Sequence, residues 1–96
     1  MQDHYTIRTE RHPTEQAVTL LLNGKFSEDA LSELEQSLAE AKRSSSRIYI
    51  DLSEVTLVDR KAAKYFSQQL GSDVKLVNCP IYLKSWIRKS GEEAEN

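Results

Sequence analysis

An aspartate followed by two cations, Asp59-Arg60-Lys61, opens a segment whose apolar residues Ala62, Ala63, Phe66 and Leu70 recur at helical spacing. A short acidic side chain in that place accepts a free backbone N–H and caps the helix. Arg60 and Lys61 then occupy the first turn, where each positive charge opposes the helix dipole by about 0.3–1 kcal/mol. Carried around the helix, Arg60, Lys61, Lys64 and Gln68 share an outward face. Two compatible readings follow. The cations are solvated behind a capped start, each worth little, or the face meets an acidic partner surface.

Cys79 stands between an apolar run and Pro80, where a helix N-terminus can lower a thiol's pKa and make it a nucleophile. The competing reading is a small buried hydrophobe at a strand end. His4 and His12 lie far from Cys79 in the chain, and no second cysteine follows to resolve an oxidised thiol. The two histidines are too isolated to argue for a metal, and no glycine-rich loop offers to hold a nucleotide phosphate, so no cofactor is expected. Trp86 with Lys84, Arg88 and Lys89 could suggest an amphipathic helix for a membrane surface or nucleic acid. Cations in a last turn also suit the dipole, and tryptophan suits a core.

The elements that must position these residues follow from periodicity. Tyr5 to Arg8 reads as a strand before the turn segment Arg11–Glu15. Ala17 to Leu22 is apolar at nearly every position, as in a strand covered on both faces, and Asn23-Gly24 carries turn chemistry that should end it. Ser27 is placed to cap a helix with Glu28 and Asp29 in its first turn, Lys42 and Arg43 in its last, and Leu31, Leu34, Leu38 and Ala41 along its buried stripe. Arg47 to Leu52 alternates with period two and predicts a third strand. The second helix starts at Asp59 and stops at Gly71. Val74 to Val77 reads as a fourth strand, Pro80 fits the first turn of a third helix, and Leu83, Trp86 and Ile87 give that helix its apolar side. Residues 91–96 are acidic and are expected to form a mobile tail, leaving 1–90 as a single domain.

Whole-chain properties bound the function. At 96 residues the chain can build one core. Its 39 % hydrophobic and 29 % charged content is that of a globular domain. A net charge of −2 made of interleaved signs supplies no basic field for nucleic acid. A lone cysteine, no signal-like start and no apolar stretch long enough for a bilayer predict a cytoplasmic protein without membrane insertion.

In order along the chain stand Thr19-Leu20, Asn23-Gly24-Lys25-Phe26, Ile50-Asp51-Leu52-Ser53, Val58-Asp59 and Leu76-Val77-Asn78-Cys79-Pro80. As a set these resemble STAS domains, the anti-sigma-factor-antagonist family, over almost the whole chain. The resemblance implies an α/β fold of order ββαβαβα, with a mixed sheet of about four strands and three helices. It also implies a bacterial, non-enzymatic signalling module that binds an anti-sigma factor, a kinase or the ATPase subunit of a transporter. In that family the loop after the third strand carries Asp-Ser-Ser/Thr-Gly, and one of its hydroxyls is phosphorylated. Here the matching residues are Asp59-Arg60-Lys61-Ala62, with cations at both hydroxyl positions, so the phosphorylation switch does not carry over. Ser53 and Ser67 remain as candidate acceptors. The family usually continues with another strand and helix; without them a sheet edge would be open to a homodimer or an obligate partner.

The sequence therefore predicts a partner-binding site of Asp59, Arg60, Lys61, Lys64 and Gln68 at the second helix. The alternatives are a small thiol enzyme or redox sensor using Cys79, and a purely structural dimerisation domain.

Overall fold

A computed structural model describes residues 5–94. Four strands, β1 (Tyr5–His12), β2 (Ala17–Phe26), β3 (Arg47–Val58) and β4 (Val74–Val77), alternate after the opening pair with three helices, α1 (Glu28–Ser44), α2 (Arg60–Gln69) and α3 (Ile81–Ala94). The sheet order is β1-β2-β3-β4, with the first pair antiparallel and the other two parallel. This is the expected mixed sheet with three helices in the order ββαβαβα.

β1 and β2 form a hairpin closed at His12–Ala17 through a single 3-10 turn, Pro13–Glu15. β1 thus runs four residues beyond the expected Arg8, because Thr9 to His12 pair with Leu20 to Ala17. β2 does not stop at Asn23-Gly24. It continues to Phe26 through two breaks of register against β3, and Gly24 takes φ 97° there, which a side chain would strain. β3 also runs past Leu52, to Val58, because the same pairing continues.

The core lies between one face of the sheet and the helices. Val18, Leu20 and Leu22 of β2, Ile48, Ile50 and Leu52 of β3, and Val74 of β4 meet Ala30, Leu34, Leu38 and Ala41 of α1, Ala62, Ala63 and Phe66 of α2, and Leu83 and Ile87 of α3. Leu31, expected in the stripe of α1, is only half-buried, and Ala30 takes the buried place. The second face of β2 is not covered by a helix: Thr19 and Leu21 are half-buried there beside Tyr49 and Asp51. On that face Ala17 is buried and Thr19 and Leu21 are half-buried, so β2 is not enclosed between two helical layers.

Three helix ends also differ from expectation. Leu70 lies beyond the last turn of α2 in extended backbone and is 42 % exposed, so it leaves the stripe formed by Ala62, Ala63 and Phe66. Pro80 precedes α3 and its carbonyl accepts Lys84 N–H at 2.9 Å, which makes it the cap rather than the first helical residue. The backbone is helical from Gly91 through Ala94, where a tail was expected to begin. Glu95 and Asn96 lie outside the described residues, as does His4.

Candidate functional site

β2 and β3 are parallel and end side by side, with Phe26 opposite Val58. The helices that follow them therefore begin next to each other, and two positive dipole ends converge. Asp59 sits between them. Its Oδ1 accepts Ala62 N–H of α2 at 2.8 Å, and its Oδ2 accepts Glu28 N–H of α1 at 3.1 Å. Its own N–H donates to the Phe26 carbonyl at 3.1 Å. One half-buried carboxylate thus caps two helices and ties both strand ends together. Ser27, expected to cap α1 by its side chain, makes no such bond, and Asp59 takes that role.

The floor beneath this junction is aromatic. Phe26 is fully buried between Tyr5, 5.3 Å away between ring centres, and Phe66, 6.5 Å away, so α1 and α2 start from a fixed platform. Trp86 of α3 donates its indole N–H to the Val58 carbonyl at 2.9 Å, one residue before Asp59. The tryptophan is half-buried and faces the junction, which makes it a strut and not part of a membrane-facing surface.

On this base α2 presents Arg60, Lys61, Lys64 and Gln68, all exposed. Lys61 Nζ pairs with Glu28 Oε2 at 3.0 Å across the two helix starts. Both side chains are about two-thirds exposed, so the pair contributes at most about 1 kcal/mol. The unfavourable charge at the start of α2 is thereby offset in part by an acid of α1. Lys64 makes no ion pair among the described residues. The structure brings the five predicted site residues onto one helix and its cap, with Asp59 directed inward and the other four outward.

Leu57 was not anticipated. It is 52 % exposed and lies two residues before Asp59. Up to Leu52 the even-numbered residues of β3 are buried, but beyond the irregular pairing with β2 the buried positions are Val55 and Val58, and Leu57 turns outward. An apolar side chain thus adjoins the cationic face.

The candidate phosphate acceptors lie apart from this loop. Ser53 is exposed within β3 and its N–H donates to Asp51 Oδ1 at 2.9 Å, whereas Ser67 is half-buried on α2. Cys79 is half-buried, and its thiol lies 3.5 Å from the Pro80 carbonyl oxygen. Burial pushes that thiol up from its ordinary pKa, and the charge of Lys84 offsets only part of the shift. His12 lies against Thr19 and Glu10, on the hairpin and away from Cys79 in the fold. Among the described residues no three His, Cys, Asp or Glu side chains converge as metal ligands. No helix there is long and apolar enough to cross a membrane.

No family model matches the chain, and no curated protein sequence matches it. Solved structures do. An anti-sigma-factor antagonist STAS domain from Rhodobacter sphaeroides superposes with a TM-score of 0.63 at 12 % identity, over 78 % of this chain and 87 % of that one. The anti-sigma factor antagonist SpoIIAA in its unphosphorylated form superposes with a TM-score of 0.66 at 14 % identity, over 90 % of this chain and 81 % of that one. The fold is that of STAS domains, as the sequence motifs implied.

Proposed function

We propose that this chain is a non-enzymatic interaction module of the STAS type, which binds a regulatory protein through the β3–α2 junction and the outward face of α2. The carrying observation is the double cap. Asp59 fixes the starts of α1 and α2 together, so Arg60, Lys61, Lys64 and Gln68 are displayed from a rigid base beside the exposed Leu57. Rigid presentation reduces the ordering cost of association. A cationic helix face with an exposed apolar residue shortly before it in the chain suits a partner with an acidic surface and a small apolar contact.

The solved structures of this fold named above are anti-sigma factor antagonists, which makes a bacterial, cytoplasmic regulatory partner the first class to test. An anti-sigma factor, a kinase and a transporter ATPase subunit are the three partner types in that class. Arg60 and Lys61 offer no acceptor hydroxyl, which favours constitutive or otherwise regulated binding over phosphate transfer to this loop.

The test is to identify the partner by crosslinking in cells and to titrate it, purified, against wild type and a Lys61→Glu/Lys64→Glu double variant at two ionic strengths. The reading requires at least a tenfold loss in the variant and a wild-type complex weakened by salt. Equal affinity for the two proteins, with circular dichroism showing both folded, would place the docking surface elsewhere.

A further inference from the structure

At the end of α2 away from the junction, a groove of about 440 Å³ runs between the last turn of α2, β4 and α3. Leu70, Val74, Leu76, Ile81 and Ile87 provide its apolar surface. Among the described residues its charged lining consists of Lys75, Lys84 and Arg88, with no acid. Leu70 is 42 % and Ile81 82 % exposed, so two of the four large exposed hydrophobics among the described residues flank this one depression. Neither is explained by the proposed contact at the start of α2.

The dimensions and the chemistry select the occupant. Along α3 the lining runs from Ile81 to Arg88, a rise of about 10 Å, the length of two turns of a facing helix. Apolar side chains recurring along such a helix fit a groove of this kind, and acidic side chains flanking them would meet Lys75, Lys84 and Arg88. A second copy of this chain docking by the same face would set those cations against their own equivalents, which like-charge repulsion opposes. A lipid surface is flat on this scale and would reach Ile81 but not Val74, which is only 3 % exposed at the floor.

We infer that the α2–β4–α3 groove is a second docking site, which takes an amphipathic helix bearing an apolar stripe flanked by acidic residues. Its lining comes from the last turn of α2 and does not include Arg60, Lys61 or Lys64.

The experiment uses the full chain labelled with nitrogen-15 and a synthetic 14-residue amphipathic helix with leucines at i, i+3 and i+7 flanked by glutamates. Two controls are a peptide with lysine for each glutamate and a scrambled peptide of the same composition. Amide shifts should move at Ser67–Gly71, Val74–Leu76 and Ile81–Arg88 with the acidic helix, and affinity should fall at least tenfold with either control. Lys84→Glu/Arg88→Glu should weaken the acidic helix by a similar factor and strengthen the lysine peptide. These side chains are exposed, and the peptide controls require no variant, so a folding defect cannot mimic the result. Equal binding of all three peptides, or shifts confined to other residues, would overturn the inference. So would binding of anionic phosphatidylglycerol vesicles, abolished by Ile81→Glu, in the absence of peptide binding. None of these outcomes bears on the Lys61 and Lys64 face, which is tested separately.

Discussion

Asp59 Oδ2 accepts the backbone N–H of Glu28 at 3.1 Å, across 31 positions of chain, while the other oxygen of the same carboxylate caps its own helix. A cap contributes about 1 kcal/mol, and loss of both should cost about 2 kcal/mol. Asp59→Ala is therefore expected to lower the melting temperature by about 8–16 °C for a domain of this size. Asp59→Asn keeps one acceptor and should lose about half as much. Amide hydrogen exchange distinguishes this arrangement from a simple cap: in Asp59→Ala the first turns of both α1 and α2 should exchange faster, whereas a single cap would expose α2 alone.

The Lys61–Glu28 pair gives a second prediction. Because both side chains are largely exposed, Glu28→Gln should change stability by less than about 1 kcal/mol. It also releases Lys61 from its intramolecular acid and should strengthen binding to an acidic partner several-fold at low salt. Chemical denaturation and titration calorimetry measure the two effects. Weaker binding would mean that Glu28 contacts the partner itself.

Trp86 gives a third. Trp86→Phe keeps most of the ring but removes the donor to the Val58 carbonyl, and leaving that acceptor unpaired should cost about 1–3 kcal/mol. The loss should appear as faster exchange of Asp59 and Ala62 amides, since the strut holds the junction that Asp59 caps. A variant as stable as wild type would show that the tryptophan acts only by packing.

Much of this arrangement was legible in the residues. The alternation from Ile48 to Leu52, the stripe of Leu34, Leu38 and Ala41, and the run Val74 to Val77 each reflect local periodicity, and each forms the element expected. Asp59 was legible as a cap for the same reason. Its bond to Glu28 was not, because it depends on β2 and β3 ending side by side in parallel, which no local pattern records. Leu57 was not singled out at all, and Leu70 was misplaced by extending the helical period past the point where the backbone changes. One follows irregular pairing in β3, and the other follows the end of α2. The cationic groove was hidden for a further reason: its walls come from three elements, and Lys84 and Arg88 look in sequence like ordinary helix-surface cations.

Cys79 yields a fourth prediction. Burial raises its thiol pKa, so little thiolate is present near neutral pH and alkylation should be slower than for a free-thiol reference. Iodoacetamide modification followed by mass spectrometry measures this. Faster reaction than the reference would revive a thiol-based activity.

The final prediction concerns Asp51, which joins β3 to the end of β4. Burial alone would push its carboxyl up, but hydrogen bonds from the Ser53 backbone and from the Ser53 and Asn78 side chains together outweigh that and hold it below its ordinary value. Asn78, the residue after β4, donates from Nδ2 at 3.0 Å. A carboxyl whose folded pKa is depressed adds stability that is fully present above the unfolded value of about 4. That contribution disappears as pH falls through the lower folded value. Asn78 itself has φ 53°, so alanine there would add backbone strain and confuse the measurement. Asn78→Gly removes the donor and keeps the conformation accessible. In that variant the Asp51 carboxyl carbon, followed by NMR, should titrate at higher pH than in wild type, and the stability difference between the two proteins should shrink as pH drops from 6 towards 2. A stability difference constant over that range would show that Asn78 acts through the backbone of the β4–α3 turn and not through the charge of Asp51.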